Sequence, residues 1–191
     1  MTDNQIRCGW CVGDAEYVAY HDEEWGVPIT DAPSLFKLLT LEGMQAGLSW
    51  LTILRKRAAM EEAFYDFQLD KLAASGEPEI TRWLDNAAII RHRGKLQAMI
   101  NNARLALETD NFVELIWQFR PASSRKYASL ADVPALTDES TAMSKTLKKA
   151  GFKFVGPTIC YAFMQSAGLV NDHTKDCWRF APCDSLQARI K

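Results

Sequence analysis

Four of the eight cysteines and histidines in this chain stand as two pairs at opposite ends of 191 residues, and that separation constrains the fold more than any other feature. Cys8 and His21 lie near the N-terminus; His173 and Cys177, four residues apart, lie near the other end. Brought together they form a Cys-His-His-Cys set suited to a structural zinc ion. Such a staple makes the two ends meet. It also pins an aromatic-rich N-terminal segment, with Trp10, Tyr17, Tyr20 and Trp25, onto whatever the middle of the chain builds.

Five cysteines are too few for a disulfide scaffold and odd in number, which points to a reducing compartment. No apolar run approaches the ~18 residues of a membrane span, and no basic stretch followed by an apolar one opens the chain, so a soluble, cytoplasmic protein is expected. The net charge of −2 argues against coating a polyanion by bulk charge, yet the charges are uneven. Acidic residues dominate from Asp14 to Glu42. Arg91, Arg93 and Lys95 cluster, as do Lys145, Lys148, Lys149 and Lys153, and no acidic residue stands between Glu139 and Asp172. Solvated helix faces are the plain reading of both basic clusters.

Apolar residues recur with helical spacing almost throughout, which predicts an all-α chain. Asp14 is placed to cap a helix through Tyr17, Tyr20 and His21; Thr30 or Asp31 caps a second, whose leucine stripe ends near Gly43; Gly47 and Ser49 open a third, with Trp50, Ile53 and Leu54 inward. Further helices are expected around 79–87, 95–107, 112–119, 139–150 and 158–167, with a long connection over 121–134. Cys160 falls on an apolar helix and reads as core. Between the last two helices only Gly151, Phe152, Lys153, Phe154, Val155 and Gly156 intervene. Gly151 suits a left-handed helix end, Gly156 a close backbone approach, and Pro157 a first helical turn. Backbone N–H groups at such a helix start can hold a phosphate, and the four lysines nearby tip this hairpin from plain structure toward a DNA-backbone contact.

Several longer pieces carry a resemblance. RCGW at 7–10, YVAYHDEEWGVP at 17–28, LEGMQAGLSW at 41–50, IIRHRGK at 89–95, GFKFVGPTICY at 151–161 and VNDH at 170–173 together resemble the 3-methyladenine DNA glycosylase I family, in that family's order and over nearly the whole chain. The resemblance implies one glycosylase domain over 1–191. In it the hairpin at about 139–167 is a helix-hairpin-helix element that grips DNA through Gly151, Lys153, Val155 and Gly156, and segments 1–30 and 168–191 are joined by one structural zinc on Cys8, His21, His173 and Cys177. Four protein ligands leave no open position for an activated water, which argues against a zinc hydrolase. Cys11, two residues beyond Cys8, and Cys183, near Cys177, stay open as replacement ligands.

The implied partner is alkylated double-stranded DNA, bound by a monomer with no membrane involved, and the implied reaction is hydrolysis of the N-glycosidic bond of N3-methyladenine. A flipped cationic base would be held by Trp10, Tyr17, Tyr20 and Trp50 through stacking and cation–π attraction, at ~0.5–2 kcal/mol for a good contact. The family's acceptor carboxylate matches Glu42, and Gln45, three residues on, faces the same side. Trp25 reads mainly as packing. The base leaves as a neutral molecule, so selective binding outweighs acid catalysis. Relatives in the wider superfamily place an aspartate before the terminal helix to stabilise the sugar cation. Here Asn171 takes that slot, and Asp172 reads as a cap for the segment carrying His173. Lyase chemistry is not expected, because Ile159 and Cys160 stand where bifunctional relatives have a lysine. The competing reading is a non-catalytic, zinc-containing module that binds DNA damage; a carboxylate in an aromatic pocket beside a polyanion speaks against it, because desolvating it is costly.

Overall fold

A computed structural model describes residues 4–123 and 125–190, and no strand occurs among them. In chain order the helices are α1 (Ala15–Glu23), α2 (Ala32–Gln45), α3 (Trp50–Ala63), α4 (Leu69–Ala74), α5 (Glu77–Asp85), α6 (Arg93–Glu108), α7 (Phe112–Trp117), α8 (Asp138–Lys149), α9 (Pro157–Ser166) and α10 (Phe180–Gln187). Short 3-10 turns lie at Gly9–Cys11, Tyr65–Phe67 and Leu130–Asp132, the last within the long connection.

Local chemistry accounts for most of the starts. Asp14 accepts from the N–H groups of Glu16 and Tyr17, Asp31 from that of Ser34, and Ser49 from that of Thr52, each satisfying first-turn donors that no helical carbonyl reaches. Asp31, not Thr30, is the second cap. That helix does not stop near Gly43 but runs on to Gln45. Gly43 is there for closeness: a Cβ on it would lie 3.4 Å from both the Cβ and the carbonyl oxygen of Phe154 in the α8–α9 turn. Sequence periodicity also missed α4 and α10. The first is six residues without a side-chain cap, and the second carries Pro182 in its opening turn, a place where proline's missing N–H does no harm.

The main core gathers Leu35, Phe36 and Leu39 of α2, Ile53 and Met60 of α3, Trp83 of α5, Met99 of α6, and Cys160, Phe163 and Met164 of α9, all buried. A second cluster holds Cys8, Tyr20, Trp25 and Cys177, with Trp10, Trp50 and Trp178 packed on it. Lys95 departs from the expected basic patch. It is buried, and its ammonium donates to the carbonyls of Met44 (2.8 Å) and Ala46 (2.6 Å), closing the C-terminal end of α2. Arg93 pairs with Glu77 instead.

Candidate functional site

The four ligands expected at the chain ends converge. Cys8, His21, His173 and Cys177 are all buried, with their donor atoms within 4.8 Å of one another. His21 Nε2 and His173 Nδ1 stand 3.2 Å apart, and the sulfur-to-nitrogen distances are 3.3 Å (Cys177–His21), 3.5 Å (Cys177–His173) and 3.6 Å (Cys8–His173). A tetrahedral ion with Zn–N of about 2.0–2.1 Å and Zn–S of about 2.3 Å would need edges of roughly 3.3 to 3.8 Å. The donor set therefore fits a tetrahedral cation in size as well as chemistry.

The surroundings orient these ligands. His21 Nδ1 lies 2.7 Å from Asp22 Oδ1, so an N–H there donates to the carboxylate and Nε2 is left for the cluster. Burial pushes the Asp22 carboxyl up, but Arg7, His21 and Trp178 together outweigh it and hold the group below the usual range. His173 turns its Nε2 to the Trp25 carbonyl at 3.1 Å, and the Thr174 N–H points at the Cys8 sulfur at 3.4 Å. Hydrogen bonding between the two sulfurs pulls the Cys177 thiol down and pushes Cys8 up. Cys11 and Cys183 stay outside the group: the first donates to the Cys8 carbonyl at 3.1 Å, and the second faces that of Trp25 at 4.0 Å.

Against this cluster lies a cavity of about 220 Å³. Its aromatic wall is Trp10, Tyr17, Tyr20, Trp25 and Trp50; its polar lining is Glu42, Gln45, Gln165, Ser166 and Asp172; Leu130, Val133 and Ala162 complete it. Trp10 ties the wall to the ligands, meeting Tyr17 edge-on at 5.6 Å between ring centroids, Trp25 at 5.1 Å and His21 at 5.5 Å. Tyr20 meets Trp50 at 5.4 Å, and the Tyr17 hydroxyl accepts the first-turn N–H of Leu51 at 3.0 Å, which locks α1 to α3. Trp25 is thus a wall residue and not packing alone. Glu42 projects from α2 with 2 % of its surface exposed; its Oε1 accepts from the Ser166 hydroxyl at 2.8 Å, and its Oε2 has no partner among the described residues. Burial pushes its pKa to about 8. The Tyr20 hydroxyl and the Trp50 indole N–H are likewise buried without partners.

Asn171 and Asp172 exchange their expected positions. Asn171 turns away from the cavity, donating to the Phe180 carbonyl at 2.9 Å while its oxygen faces the His173 N–H at 3.4 Å, so the asparagine does the capping. Asp172 lines the cavity, its Oδ2 accepting from the hydroxyl of Tyr161 (2.6 Å) and the amide of Gln165 (2.8 Å). The sequence could not show this, because one residue of shift in an irregular segment reverses which side chain points inward. Ser166 and Gln165 were missed too; two adjacent polar residues closing a largely apolar helix were the only signal for them.

α8 and α9 form the expected helical hairpin. Lys145, Lys148, Lys149 and Lys153 are exposed on it, and none forms an ion pair among the described residues. Val155 is buried, so only its backbone is available to a partner. α9 begins at this turn and ends at Gln165 and Ser166 in the cavity, about 15 Å along one rigid element.

Comparison with known proteins follows the same outline. The family model described as Methyladenine glycosylase matches residues 10–180. A protein of Escherichia coli (strain K12), DNA-3-methyladenine glycosylase 1, is 50% identical over 177 residues, covering 90% of this chain and 95% of its own. A crystal structure of 3-methyladenine DNA glycosylase I superposes with a TM-score of 0.88 at 49% identity, covering 91% of this chain and 98% of that one. A variant of such a glycosylase in complex with 3-methyladenine superposes at 0.85, with 39% identity and coverage of 91% and 97%.

Proposed function

Because the chain belongs to the methyladenine glycosylase family, we infer that it is a DNA repair enzyme that releases N3-methyladenine by hydrolysing its N-glycosidic bond, and that the cavity at Glu42 receives the flipped base. The observation that carries the second part is the set of three buried, unpartnered polar atoms on cavity residues: Glu42 Oε2, the Tyr20 hydroxyl and the Trp50 indole N–H. Orphaned groups of this kind are costly in a folded protein unless a ligand satisfies them. An adenine edge offers what they lack, an amine to donate to the carboxylate and ring nitrogens to accept from the hydroxyl and indole.

The chemistry then asks little of acid catalysis. Methylation at N3 places a delocalised positive charge on the base, which the aromatic wall attracts and the Glu42 carboxylate balances once ionised. The base departs neutral, and the electron-poor sugar is taken by a water. Glu42 and the aromatic wall thus act by preferring a cationic base, which favours N3-methyladenine over neutral lesions. Leu48 is exposed on the turn between the cavity residues Gln45 and Trp50, and an apolar side chain there suits the gap that a flipped nucleotide leaves in a duplex.

Support for a zinc ion as the resident cation is the donor set and its edge lengths. Bound there, it would tie the N-terminal segment to the segment after α9 and supply no chemistry to the base. The α8–α9 turn reads as a helix-hairpin-helix grip on the DNA backbone, supported by its free lysines. One chain provides cavity, ligand cluster and hairpin, which supports a single domain acting as a monomer. Five unpaired, buried cysteines suit a reducing cytoplasm, and no helix among the described residues is long and apolar enough to cross a membrane.

The test is chromatographic. Incubated with methylated duplex DNA, the protein should release 3-methyladenine well above a no-enzyme control and leave 7-methylguanine in place. DNA retained without base release would instead establish a damage-binding module.

A further inference from the structure

The turn between α8 and α9 has almost no backbone hydrogen bonds of its own beyond the helix end. The N–H groups of Gly151 and Phe152 return to the carbonyls of Lys148 and Leu147, and there the backbone pairing stops. Side chains take over. Asn101 of α6 donates to the Gly151 carbonyl at 3.1 Å, Asn102 of α6 to that of Lys153 at 2.9 Å, and Ser144 of α8 to that of Val155 at 2.6 Å. Every second carbonyl of the turn is therefore held from the protein side. Asn102 goes further, because its oxygen also accepts the Lys153 N–H at 2.9 Å, so one buried amide grips both backbone groups of one residue.

The consequence lies on the other side of the turn. With these carbonyls drawn inward, the N–H groups of Phe154, Val155 and Gly156 make no hydrogen bond among the described residues. Phe154, next to the clamped Lys153, holds a left-handed φ of 55°, a conformation disfavoured for a residue with a Cβ. Three successive donors without a partner among the described residues, beside exposed lysines, are what an anion would require.

We infer that Asn102 is a positioning residue for DNA binding, which by clamping both backbone groups of Lys153 keeps the N–H groups of Phe154, Val155 and Gly156 aimed at one DNA phosphate. This rests on the reading of the hairpin as the DNA grip. Rigidity present before binding lowers the ordering cost of association, so Asn102 acts on affinity through the backbone without touching DNA.

Two variants separate the clamp from the grip. Asn102→Ala removes the clamp. Gly156→Pro removes one donor: Gly156 already has φ −64°, the angle proline imposes, and a Cβ there meets nothing within 4 Å. Affinity is measured by fluorescence anisotropy on a duplex carrying a tetrahydrofuran abasic analogue across a salt series, and cavity integrity by tryptophan fluorescence with free 3-methyladenine. Asn102→Ala should weaken DNA binding about ten-fold with the slope against salt unchanged, since no charge is lost, whereas Lys153→Ala should reduce that slope by about one. Binding of the free base should stay at the wild-type level in Asn102→Ala, and Gly156→Pro should also weaken DNA binding. Wild-type DNA affinity in Asn102→Ala with a weakened Gly156→Pro would overturn the clamp and leave the grip standing. Wild-type affinity in both would remove the grip reading and the clamp with it. Parallel loss of free-base binding in Asn102→Ala would make Asn102 an ordinary packing residue. If that variant does not fold, Asn102→Leu, near in volume and without polar atoms, is judged by the same outcomes.

Discussion

Glu42 carries a carboxyl group buried in the wall of the cavity. Burial pushes its pKa to about 8 from an ordinary 4.5, so between those values the folded protein holds a proton that the unfolded chain has released. Its contribution to stability consequently falls as pH rises through that window, and Glu42→Gln should flatten this part of a melting-against-pH curve. Function runs the other way. A cationic base favours the ionised carboxylate, so kcat/KM on a methyladenine duplex should climb with pH toward a limb near 8 that is absent in Glu42→Gln. That variant should also lose roughly ten- to a hundred-fold in single-turnover excision, the scale of a charged hydrogen bond, while keeping its fold. Unchanged excision would remove Glu42 from the site. Glu42, Trp50 and Tyr17 were legible because they sit in long motifs. Ser166, which holds Glu42 in place from 124 residues away, was not, because nothing in a sequence says which helix faces will meet.

Among the elements, α6 does the aligning. Lys95 at its start closes the end of α2 next to the cavity residue Gln45, and Asn102, two turns later, holds the α8–α9 turn, so one helix sets the spacing between cavity and hairpin. The end of α9 is fixed as firmly. Gly168 has φ +70°, and a Cβ on it would stand 2.5 Å from the Pro28 nitrogen, where the segment after α1 crosses and Ile29 donates to the Ala167 carbonyl. Gly168→Ala should therefore cost more than about 3 kcal/mol, combining a backbone clash with a disfavoured φ, and a melting temperature within 2–4 °C of wild type would contradict that close crossing. Helix starts were readable wherever a side chain caps them, as at Asp14 and Ser49. Lengths were less so: Gly43 looks like a stop in sequence and becomes a contact only when Phe154 is beside it.

For the whole molecule, the ligand cluster decides how the N-terminal segment is held. Chelation or His173→Ala should abolish metal binding and lower the melting temperature by about 8–16 °C, as expected for losing a ligand present at ~1,000 times its dissociation constant from a domain this size. Full metal content with unchanged melting in His173→Ala would refute the staple. Spacing alone suggested which four residues could meet. It also suggested that they would pin the aromatic segment; the contact involved, Trp10 ring on His21 ring, was not visible, since no spacing encodes it. The same geometry sets an order of events during synthesis. His21 waits for a partner 152 residues downstream, a delay of roughly 8–30 s at ordinary ribosome speeds. Until His173 and Cys177 emerge, α1 can pack on α3 but the cluster behind Trp10 cannot form, so a partly translated chain lacks the last support of its aromatic wall.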